Sequence, residues 1–338
     1  MNISTNWIDS EQYIKLLKNY SFKGASLFHH EDWLKVISLG LNAELKAVAT
    51  SSKDNQIIAL TPFMFKKKGP FKLFGAPLRG LYTEFTGSLF TEGVYEEMKY
   101  LALLSQSQFI KKTADYIEFG FENNQNEKIN ETFKNIGYEK VTRSSLIINL
   151  DLNKDELLKS YTGRARNMIR KSAKMNVEVF NVNPNIAWIK NYYSMLKDTF
   201  IRQGTRCPHP ISFFYELINL HSSSKILFLE AKKDGNFIAG SLFLIDRKRM
   251  IYLSGTSNLE GMRTAATSAL QHHAMLYGIE NGYTRYDMGG LGIPSIDKFK
   301  LSFGGDIYYQ DRWILKSKLF SLIEPIGKWV IKKGFIRL

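Results

Sequence analysis

Two lysines lie between two glycine pairs near the end of the chain, in the stretch YDMGGLGIPSIDKFKLSFGG at residues 286–305. Glycine pairs mark places where the backbone turns unusually or where another group approaches it closely. Lysines held between such points, here Lys298 and Lys300, are candidates for binding an anionic ligand. Asp287 in the same stretch is a candidate general base, or alternatively a carboxylate that fixes the turn at Gly289-Gly290.

The sequence does not contain the usual signatures of metal or nucleophilic catalysis. His272 and His273 are adjacent, so they do not face one site as an i,i+4 pair of metal ligands would. A nucleophile elbow, a P-loop and a dinucleotide-binding glycine pattern are also missing. We therefore expect no metal site and no tightly bound cofactor, and a reaction that needs no covalent nucleophile.

The charge of the chain is strongly positive, with 46 Lys+Arg against 32 Asp+Glu and a formal net charge of +14. Such a balance is typical of proteins with phosphate-rich partners: nucleic acid, an anionic membrane surface or a nucleotide-linked substrate. A lysine-rich surface that only maintains solubility is the alternative. Two segments concentrate the charge: residues 159–174 hold six basic residues and no acid, and residues 312–338 hold seven against Glu324 alone, a net charge of +6.

The basic segment at 159–174 has a helical pattern. Arg166, Arg170 and Lys174 recur every four residues and form one stripe, opposite Ala165, Ile169 and Ala173. The stripe is predicted either to bind an anion or to be a solvated helix face.

The compartment is predicted from cysteine content and apolar runs. Cys207 is the single cysteine, so an intramolecular disulfide is excluded and a reducing cytosol is favoured. The N-terminal residues do not resemble a signal peptide, and no apolar run approaches the roughly 18–20 residues that span a bilayer. We expect a soluble, cytoplasmic protein. The amphipathic, basic segment 312–338 is expected either to lie on an anionic membrane at its inner face, with Phe320, Trp329 and Phe335 as aromatic anchors, or to dock on the core as an ordinary helix through Leu319, Leu322, Ile326 and Val330.

Two halves of the sequence repeat one order of elements, in which antiparallel strands are followed by a helix and a further strand. The first half is read as a helix over 26–41, strands at 45–50 and 56–65, a turn-rich stretch at 66–90, a helix near 94–112 and a strand at 115–121. The second is read as three strands over 225–255, a helix over 263–281 closed by Gly282, and a strand at 284–290. The helix is expected to pack on the sheet through the face of Ala266, Ala269, Leu270, His273 and Tyr277. The order predicts an internal duplication with its seam near 140–158.

Four stretches in this order resemble the FemAB-type members of the GNAT acyltransferase superfamily, including BioF2-like acetyltransferase domains. They are SLFHHEDWLKVI, the run from GYEKVTRSSLIINL through GRARNMIRKSAKMNVEV, the strand–helix–YDMGG unit, and FKLSFGGD. The resemblance covers about residues 25–310 and implies an α/β (α+β) fold with two tandem GNAT-like domains. Each would be a mixed, mainly antiparallel sheet flanked by helices. The implied domains are 1–145 on the acceptor side and 146–311 on the donor side, followed by the tail 312–338.

The resemblance also implies a function, the transfer of an acyl or aminoacyl group to an amine of a cell-envelope glycan or peptidoglycan precursor. The donor would be aminoacyl-tRNA or acyl-coenzyme A. Enzymes that use coenzyme A usually have a glycine-rich turn before the helix that holds the pyrophosphate. Here SNLEGMRTAATS supplies Gly261 alone, which weakens the coenzyme A alternative.

The implied roles cover both substrates. Lys300 and Asp287 are the catalytic candidates, with Lys300 holding the donor or stabilising its leaving 3′-oxygen and Phe299 packing against a base or ring. The donor-binding candidates are Lys298, Phe299, Ser254, Gly261 and Arg263. The acceptor-binding candidates are Arg79, Tyr82, Glu84, Arg166 and Arg170.

Two other functions stay open from the sequence. One is a coenzyme A-dependent sugar-amine N-acetyltransferase of the same fold. The other is a non-catalytic protein that binds RNA or a membrane surface on a GNAT scaffold.

Overall fold

The computed structural model describes residues 3–123 and 127–332, the last six of these through their backbone only. The chain divides into two compact units. The first unit contains residues 1–34, 42–142 and 310–338, and the second contains 35–41 and 143–309. The two units therefore exchange short segments of chain. The C-terminal segment, expected to be separate, belongs to the first unit.

The first unit is built mainly from antiparallel strands with helices on them. Its elements are β1 (Ile3–Ile8), α1 (Ser10–Asn19), β2 (Phe22–Lys23), the first part of α2 (Glu31–Leu41), β3 (Glu44–Ser52), β4 (Ile57–Lys68), β5 (Phe71–Ala76), β6 (Leu89–Thr91), α3 (Glu96–Lys111), β7 (Tyr116–Gly120), α4 (Glu127–Ile136), the start of β8 (Glu139–Asn149), most of β14 (Asp306–Lys316) and α12 (Lys318–Lys332).

The strands of this unit follow the order β1-β3-β4-β5-β7-β14, and β6 pairs with β2 and β4. Most neighbours are antiparallel, but β5 and β7 are parallel, with Leu73–Ala76 opposite Tyr116–Phe119. Apolar side chains of the strands, such as Phe63 and Phe119, form the core with Trp313. A parallel pair needs a crossover connection, and here α3 lies in it.

The second unit repeats this plan with more helices. Its elements are the rest of β8, α5 (Lys154–Ser160), α6 (Gly163–Lys174), β9 (Glu178–Asn181), α7 (Ile186–Arg202), α8 (Ile211–His221), β10 (Ile226–Lys233), β11 (Asn236–Asp246), β12 (Arg249–Ser257), α9 (Leu259–Arg263), α10 (Ala266–Glu280), β13 (Arg285–Gly290) and α11 (Pro294–Lys300).

The sheet of this unit has the order β8-β13-β12-β11-β10-β9, in which β12 and β13 are the parallel pair. Helix α10 lies in their crossover and packs on β10, β11 and β12. Its buried face includes Ala266 and Leu270, as the sequence predicts, and continues through Ala274. The expected neighbours His273 and Tyr277 are half-buried at its edge. The mixed, mainly antiparallel α/β fold expected from the sequence is confirmed.

Four local expectations differ from the structure. The helix over 26–41 begins only at Glu31, after a 3-10 turn at Leu27–His29, because His30 caps it. The turn-rich stretch contains the strand β5. The helix over 263–281 is two helices, because Ala265 has a left-handed φ of +59°. The tail 312–338 begins as a strand to Lys316, since its first residues pair with β7.

Candidate active site

The parallel strands β12 and β13 separate after a short contact. They are paired over Arg249–Ile251 and Arg285–Asp287, and both strands continue beyond this point. An extra residue in β12, Leu253, shifts its register against β11. β13 also shifts its register against β8 between Asp287 and Gly290. Bulges of this kind bend strands and re-aim their backbone groups. We call the opening beyond Ile251 and Asp287 the strand cleft.

Lys300 is buried and its ammonium group lies at this cleft. Nζ donates a 2.7 Å hydrogen bond to the carbonyl oxygen of Gly290. A Cβ on Gly289 would lie 3.6 Å from the same Nζ and 3.6 Å from the Tyr252 carbonyl oxygen, so all three groups meet where the strands part. Lys300 is the last residue of α11, a helix that starts at Pro294 with a fixed φ. A buried ammonium group at an opening between strands is a suitable donor for a developing negative charge.

Asp287 is buried on β13, at the last residue of this strand that pairs with β12. Its Oδ1 accepts a 2.8 Å hydrogen bond from the Gly289 N–H. Gly289 has a φ of +75°, in the left-handed region that favours glycine. The contact supports the turn-fixing interpretation of Asp287, because the carboxylate holds the bulge that presents the Gly290 carbonyl to Lys300.

Helix α7 holds the β12 side of the cleft with polar side chains. Tyr192 Oη donates to Ser254 Oγ at 2.8 Å, and both residues are buried. One end of the helix is fixed to the end of β12, where Arg202 Nη2 donates to the Ser257 carbonyl oxygen at 2.6 Å. Ser254, a predicted donor-binding residue, therefore lies directly after the bulge at Leu253 in a fixed position.

The α9 segment contains two further predicted donor-binding residues, Gly261 and Arg263. Its backbone N–H groups donate to acceptors within the segment. The N–H groups of Gly261 and Met262 donate to Asn258, and those of Thr264 and Ala265 donate to Glu260 and Met262. These four donors are engaged and do not point at a ligand. A Cβ on Gly261 would lie 2.4 Å from the Ile238 carbonyl oxygen, so this glycine allows the segment to pack on β11.

Arg263 is exposed and forms an ion pair with Glu260. Its Nε and Nη2 donate to the carboxylate at 2.9 and 2.8 Å. Lys233 donates to the same carboxylate at 2.8 Å. Hydrogen bonds from Arg263 and then from Lys233 lower the pKa of Glu260 to about 2. Glu260 therefore stays ionised and competes with an incoming anion for Arg263.

The two remaining candidates on α11 differ in exposure. Phe299 is half-buried and packs edge-on against Phe303, with ring centroids 5.3 Å apart. Lys298 is exposed. Phe299 thus has one side against the core of the unit, and Lys298 faces solvent.

Neutral polar groups lie in the core of the second unit. Burial raises the pKa of Tyr286 well above its ordinary value, and raises that of Tyr252 to about 12. Tyr161 Oη lies 3.1 Å from His272 Nδ1, and burial followed by the charge of His273 lowers the pKa of His272 to about 4. These four groups are therefore uncharged at neutral pH.

The predicted basic stripe on α6 is only partly a free surface. Arg166 donates to the Tyr161 carbonyl oxygen and, at 3.4 Å, to the Lys159 carbonyl oxygen. Its guanidinium group therefore caps the C-terminal end of α5. Arg170 is exposed. Ala165 is buried on the opposite face as expected, but Ala173 is exposed.

The three predicted acceptor residues of the first unit lie in one loop that is tied to a buried ion pair. Arg79 bonds Glu324 of α12 at 2.5 Å and its guanidinium lies 4.6 Å above the Tyr116 ring. Tyr82 has a φ of +52°. The Glu84 carbonyl oxygen accepts a 2.6 Å hydrogen bond from Arg312. Arg79 therefore holds a helix in this structure.

A cavity of about 390 Å³ lies in the first unit. Phe85 and Thr86, which follow the predicted acceptor residues in the chain, are part of its wall. Its charged lining residues are Lys23, Lys99, Glu96 and Glu122, and Lys99 Nζ is paired with Glu96 at 2.6 Å.

Sequence reasoning missed the buried pair Arg312–Glu118 and the support by Tyr192. Arg312 Nη1 bonds Glu118 Oε1 at 2.6 Å, although the two residues are 194 positions apart. The signal was a lone charge in each of two apolar strands, YIEFG and RWIL. For Tyr192, the sequence indicated only that the residue lies on a helix and did not indicate its contact with Ser254.

Two searches of residues 3–123 and 127–332 gave negative results. They contain no cluster of three or more histidine, cysteine or acidic side chains that could hold a metal ion. They also include no helix that is long and apolar enough to cross a membrane.

Comparison with known proteins matches this arrangement. Residues 222–310, which contain the strand cleft and Lys300, match the sequence model of the FemAB family. No curated protein matches the chain by sequence.

Solved structures resemble the whole chain in fold. FemX superimposes with a TM-score of 0.69 at 18% identity, over 95% of this chain and 100% of FemX. L-PGS from Bacillus licheniformis gives 0.57 at 13%, over 96% of each chain. A tandem GNAT protein from the clavulanic acid biosynthesis pathway gives 0.58 at 8%, over 93% and 98%. The expected fold is confirmed: the chain has the fold of these structures, and its residues 222–310 match the FemAB family.

Proposed function

We propose that the protein transfers an aminoacyl group from aminoacyl-tRNA to an amine of a peptidoglycan precursor or related cell-envelope glycan. The observation that carries the proposal is the buried Lys300 ammonium group at the strand cleft, within the segment that matches the FemAB family. The names of the structural neighbours FemX and L-PGS are consistent with it. The protein would work at the inner face of the cell membrane, where lipid-linked precursors lie.

The reaction is aminolysis of an ester. The neutral acceptor amine attacks the carbonyl carbon, the C–N bond forms, and the ester C–O bond to the 3′-oxygen breaks. A proton passes from the amine to the leaving oxygen. Lys300 donates a hydrogen bond to the oxygen on which negative charge develops, and Asp287 acts as a positioning residue that fixes the bulge at Gly289. A preorganised donor of this kind contributes on the order of 10²–10³ in rate.

The α9 segment favours tRNA over coenzyme A as the donor. A coenzyme A pyrophosphate needs several free backbone N–H groups at this position. Four N–H groups of the segment donate within it instead, and Gly261 is used for packing on β11. A sugar-amine N-acetyltransferase that uses acetyl-coenzyme A is therefore the second candidate, and a non-catalytic role is the third.

The acceptor is assigned to the first unit. A peptide stem of a peptidoglycan precursor carries both amine and carboxylate groups, and the cavity is lined by Lys23, Glu122 and the ion pair of Lys99 and Glu96. The candidates Tyr82 and Glu84 remain proposals in the neighbouring loop. Arg79 would have to leave Glu324 to bind a ligand.

The test is a transfer assay with two donors. The purified protein is incubated with a nucleotide-linked muramyl peptide as acceptor and with either a mixture of aminoacyl-tRNAs or acetyl-coenzyme A as donor. The mass of the acceptor is then measured by mass spectrometry. We expect the mass of an amino-acid residue to be added with tRNA. Addition of acetyl from coenzyme A would favour the second candidate. Binding of acceptor or RNA without any mass change would favour the third.

Lys300→Met identifies the site within the same assay. We expect at least a tenfold lower turnover, because the donor to the developing charge is lost. Lys248→Met is the matched control, since Lys248 Nζ also donates to a glycine carbonyl oxygen, that of Gly282 at 3.2 Å, but is exposed. Equal rates for Lys300→Met and Lys248→Met would contradict the assignment of Lys300.

A further inference from the structure

Helix α12 is held on the first unit in one rotational position. Phe320 is buried, with its ring centroid 5.1 Å from that of Phe71 and 5.6 Å from that of Tyr116. Four residues later, Glu324 is paired with Arg79 at 2.5 Å and with Lys316 at 2.8 Å. Residues at i and i+4 share one face of a helix. The face of Phe320 and Glu324 is therefore the docked face.

This rotation leaves an apolar stripe facing outward. Leu319, Leu322, Ile323 and Ile326 follow the spacing i, i+3, i+4, i+7, and their exposed fractions are 57%, 72%, 40% and 61%. The expectation that Leu319, Leu322 and Ile326 dock the helix on the core is wrong, because Phe320 and Glu324 take that position. Val330 and Trp329 lie outside the described side chains, and Phe335 lies outside the described residues.

The segment that carries this stripe is basic in sequence. Arg312 and Lys316 are paired with Glu118 and Glu324. The segment from 317 onward contributes five further basic residues: Lys318, Lys328, Lys332, Lys333 and Arg337. Its one acid, Glu324, is already paired with two cations. The segment that carries the outward stripe thus has five basic residues in its sequence, and Lys318, whose side chain the structure describes, is exposed.

We propose that the outward stripe of α12 binds an anionic lipid membrane in the plane of its surface. An apolar stripe enters the headgroup boundary while neighbouring lysines and arginines attract anionic lipids. A second copy of the chain is a poorer occupant, because a symmetric contact would bring two copies of a segment with a basic sequence together. The proposal concerns binding alone and does not depend on the transfer reaction.

The experiment is vesicle flotation of the full chain without substrates. One set of vesicles contains equal amounts of phosphatidylglycerol and phosphatidylcholine, and the other contains phosphatidylcholine alone. We expect binding to the anionic vesicles that weakens at high salt, and much weaker binding to the neutral ones. Lys318→Gln is expected to reduce anionic binding by about fivefold, the size of one interfacial cation.

Two double variants separate this stripe from general hydrophobicity. Leu322→Gln/Ile326→Gln is expected to lower the vesicle partition constant at least tenfold. Leu39→Gln/Ile201→Gln is the matched control, because these residues are 66% and 67% exposed on helices of the second unit. The control is expected to bind as the parent does.

Three results would overturn the proposal. The first is the absence of binding by the parent to either vesicle. The second is an equal loss of binding in both double variants. The third is a parent protein that does not bind vesicles and sediments as a dimer, combined with a Leu322→Gln/Ile326→Gln variant that sediments as a monomer. The stripe would then be covered by a second copy of the chain.

Discussion

The buried ion pair of Arg312 and Glu118 is expected to dominate the stability of the first unit. Both side chains are buried and Nη1 lies 2.6 Å from Oε1. Arg312 also donates to the carbonyl oxygens of Thr83 and Glu84 at 3.3 and 2.6 Å. Arg312→Met removes these bonds and the cation beside the Glu118 carboxylate, to which Tyr116 Oη and the Arg79 N–H still donate. An uncompensated buried charge of this kind costs about 3–5 kcal/mol.

The double variant Arg312→Met/Glu118→Gln tests this account. The glutamine amide still accepts from Tyr116 Oη and the Arg79 N–H but carries no charge, so the desolvation cost falls. We expect the double variant to be at least about 2 kcal/mol more stable than the sum of the single losses predicts. Urea denaturation followed by circular dichroism measures all four free energies of unfolding.

The control is an exposed pair with the same separation. Lys154 Nζ lies 2.6 Å from Glu280 Oε1, and both side chains are more than half exposed. Lys154→Met should cost less than about 1 kcal/mol, as exposed pairs do. A coupling energy for Arg312 and Glu118 no larger than that of this exposed pair would refute the argument from burial.

Three further predictions concern the second unit. Gly261→Ala should cost about 1–3 kcal/mol, because its Cβ would lie 2.4 Å from a backbone oxygen, whereas Gly163→Ala, with open space around it, should be neutral or stabilising in the same denaturation series. Tyr192→Phe should cost about 1 kcal/mol and raise the KM for the donor more than it lowers kcat, because Ser254 loses its anchor; an unchanged KM would leave only a structural role. Between pH 7 and pH 5 the titration of His272 should lower the free energy of unfolding by about 2 kcal/mol. Its pKa of about 4 in the folded state lies below the unfolded value, so the unfolded state binds more protons and stability falls as pH falls. His272→Gln should flatten this decline, and an unchanged decline would contradict the prediction.

The sequence predicts the elements whose periods are local. The helix near 94–112 is observed at Glu96–Lys111, and the strand predicted at 284–290 is observed at Arg285–Gly290. The break at Ala265 was missed, because alanine favours helices and its left-handed φ is imposed by the packing of α9 on β11. Strand β5 was missed since the glycines and proline around it resemble a loop.

The candidate site was predictable where glycines mark unusual backbone. The Gly289-Gly290 pair led to Lys300 and Asp287, and the structure brings these residues together at the strand cleft. Pairings between distant strands left no local trace. Arg79 therefore looked like a ligand-binding residue, although its ion pair with Glu324, 245 positions away, holds α12.

The two units show why one of them carries the proposed chemistry. Each has a parallel pair of strands joined through a helix. In the first unit the chain itself fills the space where β5 and β7 end: the Thr86 N–H donates to the Gly120 carbonyl oxygen at 3.0 Å, and the Gly87 N–H donates to the Ala76 carbonyl oxygen at 2.8 Å.

In the second unit the equivalent position beyond Ile251 and Asp287 is occupied by a positive charge on Lys300 and by backbone that two bulges have turned. In a backbone bridge the N–H and carbonyl groups bond each other and do not bind a substrate. A buried ammonium group instead gains interaction energy when negative charge develops beside it. The difference at this one position supports the proposal that the second unit is the donor side and that the first binds the acceptor.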